Sequence, residues 1–184
     1  MIGNDIIDVS LASTESDWKR EGFLEKQFTA KEQRIILKAN NPFEMVWRFW
    51  SMKESAYKIY TQQNQERFFA PKKFECEFTS EEEGTVHFQD QKFYTISNLN
   101  VNYIFTVASL KKETMVFSEI GPSFGIDKRI KKKLEEETGI SASEIEQKKA
   151  KNGTPNYYHK NELLLKSCSI SHHGNYGVFS LLFN

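Results

Sequence analysis

The sequence predicts an α+β fold, with long helices packed on mainly antiparallel sheet. Three observations predict it. Asn41 to Thr61 carries apolar residues at helical spacing, Ile126 to Thr138 reads as a second helix, and Lys72 to Leu110 and Lys166 to Phe183 alternate as strands do.

The chain opens on Ile2 to Leu11, IGNDIIDVSL, a short β-branched run interrupted by Asp5 and Asp8. Alternation places Asp5 and Ile7 on one face and Asp8 on the other. An aspartate inside so apolar a strand is costly to bury unless it is paired or metal-bound. The competing reading is a strand end with solvated acids. Ser13 to Gln27 is polar and irregular, with room for one short helical turn. A helix then runs from Phe28-Thr29 to about Ala39, where Thr29 and Glu32 have capping-box spacing.

The segment from Asn41 to Thr61, NPFEMVWRFWSMKESAYKIYT, organises the rest. Asn41 is an N-cap, Pro42 suits the first helical position and Glu44 lies three residues after the cap. Met45, Phe49, Met52, Ala56, Ile59 and Tyr60 fall on one face, which is core. Trp47, Ser51, Glu54 and Lys58 fall on another. Glu54 and Lys58 are one turn apart and point the same way. On spacing alone they are a surface ion pair, or else a metal-binding carboxylate beside a lysine that serves phosphate or moves a proton. The flanking tryptophans favour a partly dry site.

Phe68-Phe69-Ala70-Pro71 closes the helical region. Phe74, Cys76 and Phe78 alternate after it, as do Val86 and Phe88, then Tyr103, Phe105 and Val107, with Glu81 to Gly84 as a turn. Met115 to Ile120 is another short strand, and Gly121 to Gly125 a boundary. Ile126 to Thr138 is closed by Gly139 as a C-cap. Its Lys128, Arg129 and Lys131 to Lys133 either form a solvated face balanced by Glu135 to Glu137 or serve a phosphate. Ser141 to Glu144 starts a turn of helix. Asn152-Gly153-Thr154-Pro155 is a turn, and Lys166 to Ser171 is a strand that runs through His172 into the Gly174-Asn175 turn.

The 184 residues allow one domain or two small packed halves. A formal net charge of zero argues against a general nucleic-acid or membrane-surface binder. No apolar run approaches the ~20 residues of a membrane span, and MIGNDIIDV does not read as a signal peptide. Cys76 and Cys168 are far apart, without CxxC, which suits reduced core thiols in a cytoplasmic protein and not a zinc site.

Several motifs resemble those of the 4′-phosphopantetheinyl transferases. Trp50 to Lys58, WSMKESAYK, is similar to the W-x-x-K-E-S/A-x-x-K motif of the surfactin-synthetase-activating type. Gly3 to Val9 resembles the G-x-D-I-x-E stretch that opens the holo-acyl-carrier-protein-synthase type. Phe28 to Glu32 resembles F-T/S-x-x-E. Gly153-Thr154-Pro155 resembles G-K/R-P, with Thr154 in place of the basic residue. Ser169 to His172 resembles N/S-I/L-S-H, with His173 where a small residue is usual.

The resemblance implies a fold of two similar α/β halves related by a pseudo-two-fold, each a small antiparallel sheet packed with a long helix. The motifs run in the order of the small synthase type, yet the chain has roughly room for both halves of the larger type. That larger type carries its halves in the opposite order, so this chain reads as a circular permutation. Residues 1–112 would be the metal-binding half and 113–184 the coenzyme-gripping half, with Asn102 to Thr106 and Asn175 to Phe179 as an internal echo. The implied reaction moves 4′-phosphopantetheine from coenzyme A to a serine of an apo acyl carrier protein, or of a peptidyl or polyketide carrier domain, releasing adenosine 3′,5′-bisphosphate. Fatty acid biosynthesis is one expected setting.

By the same resemblance Asp5 and Glu54 would bind Mg²⁺, Ile7 replacing a second carboxylate of the larger type. Glu54 and Lys58 would act in catalysis, with Glu32 a candidate general base. His172, Ser171 and Gly153 would hold coenzyme A, and Arg129 or Lys128 would reach its 3′-phosphate. A monomer is expected, without nucleic acid or membrane as partner. Two other functions compete: a non-catalytic module that binds coenzyme A or a carrier protein on a decayed transferase fold, and a nucleic-acid module built on Lys131 to Lys133 and Lys148 to Lys151.

Overall fold

The computed structural model describes residues 1–64, 68 and 70–183. Strand β1 (Ile2–Asp8) leads into α1 (Val9–Glu15), α2 (Phe23–Gln27), α3 (Ala30–Lys38) and the long α4 (Pro42–Asn64). Strands β2 (Glu75–Phe78), β3 (Glu83–Phe88), β4 (Gln91–Leu99) and β5 (Tyr103–Ser109) complete the first sheet, antiparallel in the order β1-β5-β4-β3-β2. After β6 (Phe117–Pro122) and α5 (Ile126–Thr138), strands β7 (Glu146–Lys149), β8 (Pro155–His159) and β9 (Glu162–Leu163) form a small sheet. The last pair, β10 (Ser167–His173) and β11 (Tyr176–Leu182), joins β6 in a third sheet ordered β10-β11-β6.

The apolar pattern decides the layering. On α4, Phe49, Met52, Ala56 and Ile59 are fully buried against Val86, Phe93 and Ile104 of the first sheet and Phe74 just before it. Phe68, Phe74 and Phe88 stack there with Tyr57 and Tyr60 edge-on. Phe69 lies outside the described residues. On α5, Ile126, Ile130 and Leu134 cover Phe179 and Leu181 of the third sheet. Ile6, Phe105 and Val178 form a third cluster where the two sheets meet. Among the described residues no helix is long and apolar enough to cross a membrane.

The two ends of the chain share a topology. β1, α4, β4 and β5 give the strand order β1-β5-β4; β6, α5, β10 and β11 give β6-β11-β10. Tyr103 and Tyr176 open the matching strands β5 and β11, and their rings lie 5.3 Å apart. The mixed α+β architecture expected from the sequence is therefore present.

Local signals account for most boundaries. Asn41 Oδ1 accepts the Glu44 N–H at 3.2 Å and starts α4. Thr29 and Glu32 form a complete capping box on α3. Gly139, with φ 72°, ends α5. Three expectations need correction. The opening strand stops at Asp8, whose side chain accepts the Leu11 N–H and caps α1. The stretch from Ser13 to Gln27, expected to be irregular with one short helical turn, contains the end of α1 and all of α2. Met45 is only partly buried, whereas Trp47 and Ser51 lie inside. Cys76 and Cys168 are free, buried thiols, and burial pushes the Cys168 thiol up to about 12.

Candidate active site

The site grows from the free edge of β1. β1 is hydrogen-bonded to β5 on one side only, so every second N–H points outward. Side chains of β10 meet these groups. Ile2 N–H donates to Ser167 Oγ at 3.1 Å, Asn4 N–H to Ser169 Oγ at 2.9 Å and Asp8 N–H to His173 Nδ1 at 2.9 Å. Each pair is 165 residues apart. Ser171 stands at that offset from Ile6, but its Oγ is buried without a partner. The seam is thus interrupted beside Asp5.

Helix α4 supplies the other wall. Gln62 Nε2 donates to Ile2 O at 2.9 Å and Lys58 Nζ to Asn4 O at 2.6 Å. Gly3 lets the helix come this close: a Cβ there would land on the Ser55 carbonyl oxygen and press on Lys58. Asp5, Glu54 and Lys58 converge as a result. Lys58 Nζ is 3.8 Å from Asp5 Oδ1. Among the described residues Asp5 Oδ2 is buried without a hydrogen-bond partner.

The electrostatics follow from burial. Desolvation pushes the Asp5 carboxyl up to about 7; Lys58 pulls it down and the Glu54 charge pushes it further up. Desolvation also raises Glu54, against the pull of Lys58. It lowers the Lys58 ammonium in spite of the two carboxylates. Two repelling carboxylates with an unpartnered oxygen are a donor set that suits a hard divalent cation such as Mg²⁺. The described residues hold no group of three or more metal-ligating side chains, so the remaining positions would fall to water and substrate oxygens.

A groove runs past this cluster in two lobes that share Glu54. The first, of about 300 Å³, lies between Tyr57, Lys58 and Gln62 of α4 and the turn Asn152 to Pro155. Asn152 Nδ2 donates to Thr61 O at 3.3 Å and ties that turn to the helix. The second lobe, of about 460 Å³, is lined by Asp5, Glu54 and His172 together with Trp47, Trp50 and Phe23. A separate cavity of about 300 Å³ over Tyr94, Ile96 and Val107 is bordered by a single carboxylate, Glu83, which is partly exposed and paired with Lys112.

The structure brings Asp5, Glu54, Lys58, Gly153 and His172 to one groove, with Ser171 at the break in the seam. It does not bring Glu32 there. Glu32 is buried, and its oxygens accept from Thr29 N–H, Cys76 N–H and Lys53 Nζ. Arg129 also points elsewhere, bonded to Glu119 at 3.1 Å and Pro122 O at 2.9 Å on the third sheet. Lys128 is exposed on α5 and lines neither lobe. Sequence reasoning missed Gln62, Ser167 and Ser169. The alternation of serines at 167, 169 and 171 in an otherwise apolar strand was a readable sign of a polar seam.

The family model of the 4′-phosphopantetheinyl transferase superfamily matches residues 1–108. No curated protein matches the chain significantly. Among solved structures the chain is similar to Helicobacter pylori holo-acyl-carrier-protein synthase in complex with coenzyme A, at 14% identity and a TM-score of 0.27, with 100% of each chain covered. That likeness is too slight to argue from.

Proposed function

We propose that this chain, which belongs to the 4′-phosphopantetheinyl transferase superfamily, moves 4′-phosphopantetheine from coenzyme A to a serine of an acyl carrier protein. The observation that carries the reading is the convergence of Asp5, Glu54 and Lys58 on a groove that His172 also lines.

In this reading residues 1–112 supply the carboxylates and residues 113–184 grip the coenzyme. Both walls come from one chain, so it acts as a monomer. The serine oxygen attacks the phosphorus that bears the pantetheine and gives up its proton to solvent water, and the bond from that phosphorus to the oxygen of the nucleotide's 5′-phosphate breaks. Adenosine 3′,5′-bisphosphate leaves. Asp5 and Glu54 would hold Mg²⁺, which supplies charge neutralisation and orientation at the phosphates. Lys58 faces the same space with a lowered pKa, suited to giving the leaving phosphate a proton from Nζ. His172 anchors the coenzyme's phosphates at the mouth of the larger lobe, and the Gly153 turn borders the other lobe. Glu32 has no part, because its oxygens are already occupied.

The test is intact mass of apo acyl carrier protein incubated with the protein, coenzyme A and Mg²⁺, with and without EDTA. Gain of one phosphopantetheine group, lost with EDTA, is expected. Asp5→Ala and Glu54→Ala should nearly abolish it, and near-wild-type activity in either would sink the assignment. Coenzyme A binding without transfer to any apo-carrier would favour a non-catalytic module instead.

A further inference from the structure

We propose that Asp8 is a positioning residue for His172, acting through a latch made with His173 and the Gly174-Asn175 turn; this rests on His172 meeting coenzyme A as proposed above. Among the described residues β10 is an edge strand, paired through its backbone with β11 alone. Its other side is tied to β1 by side chains, and that seam is broken at Ser171. His172 is the next residue and is exposed at the groove mouth. An exposed ring there keeps a useful direction only if the backbone beyond the break is fixed.

Asp8 fixes it at two points and is itself held by the start of α1. Its N–H donates to His173 Nδ1 at 2.9 Å, which places the His173 proton on Nε2. Its Oδ2 accepts the Asn175 N–H at 3.0 Å, and its Oδ1 the Leu11 N–H at 3.2 Å. The carboxylate is 2% exposed and lies against Gly174, where φ is 55° and a Cβ would strike Oδ2. Burial alone would raise this carboxyl, yet the N–H groups of Asn175, Leu11 and Ser10 hold it below its ordinary value, so it stays an acceptor. The residue pair after His172, His-Gly, is therefore part of the grip: one accepts from Asp8, the other leaves room for it.

Two variants loosen the latch from opposite sides. Asp8→Asn keeps the size but can accept only one of the two N–H groups, and Gly174→Ala pushes the carboxylate away. Coenzyme A affinity by calorimetry should fall roughly tenfold in each. In a His172→Ala background the same changes should cost less than about twofold, because the residue they position is gone. The imidazole NMR signals of His172 should shift or broaden in both variants. Equal losses in the two backgrounds, or unmoved His172 signals, would overturn the latch. If His172→Ala alone binds coenzyme A like wild type, the grip assigned to His172 falls, and the ring signals still decide the latch. If Asp8→Asn does not fold, Gly174→Ala carries the test.

Discussion

Lys53 Nζ lies 2.9 Å from each carboxylate oxygen of Glu32, and both side chains are 1% exposed. The ammonium also donates to Phe74 O at 2.6 Å and Pro71 O at 3.2 Å. The lysine of the K-E pair thus faces the core while Glu54, one residue on, faces the groove. Lys53→Ala should cost about 3–5 kcal/mol in urea unfolding, because it strands a buried charge. The double change Lys53→Met with Glu32→Gln should recover part of it, because the amide oxygen still accepts one of the N–H groups that Glu32 serves. A Lys53→Ala protein within about 1 kcal/mol of wild type would show the pair is not a structural tie.

Asp5 ties pH to stability. Its carboxyl is pushed up to about 7 from an ordinary 3.8, so between those values the folded chain binds more protons than the unfolded one. Its contribution to stability therefore falls as pH rises through that window and is level above it. At pH 8 Asp5→Asn should be more stable than wild type by on the order of 1–3 kcal/mol, and the gap should close towards pH 4. Mg²⁺ should raise the melting temperature of wild type and leave that of Asp5→Asn unmoved. A gap independent of pH would refute this account of Asp5.

Lys58 separates charge from proton transfer. Lys58→Ala should lower kcat by roughly 10²–10⁴-fold. Lys58→Arg keeps a cation but cannot release a proton near neutral pH, so it should stay low. Full activity in the arginine variant would leave Lys58 a purely electrostatic role.

Gly3 controls the fit of helix to strand. Gly3→Ala should force α4 off the β1 edge at Ser55 and Lys58. About 1–3 kcal/mol of stability should be lost, and turnover should fall at unchanged metal concentration. A variant equal to wild type in both would mean the helix can move without consequence.

How far the sequence could be read depended on how local each signal was. Asn41, the Thr29–Glu32 box and Gly139 announce helix ends within a few residues, and the structure places those ends there. Asp5 stood out because a carboxylate in a β-branched strand is costly, and Glu54 with Lys58 because one turn separates them. The partners of Glu32 were hidden, since Lys53 is 21 residues away and Cys76 is 44. Arg129 looked available on a helix full of lysines, but Glu119 and Pro122 claim it from a strand earlier in the chain. The sheet β7 to β9 does not show in the sequence because its first strand is exposed and polar throughout, without the alternation that marks a half-buried strand.

The serine seam has a consequence for solubility. By backbone topology β1 ends its sheet, and a bare strand edge invites a strand of another molecule to pair with it and seed aggregates. Here hydroxyls and an imidazole already occupy its donors, while Lys58 and Gln62 occupy two of its acceptors. These short side chains close the edge to intruding strands without adding a backbone ladder.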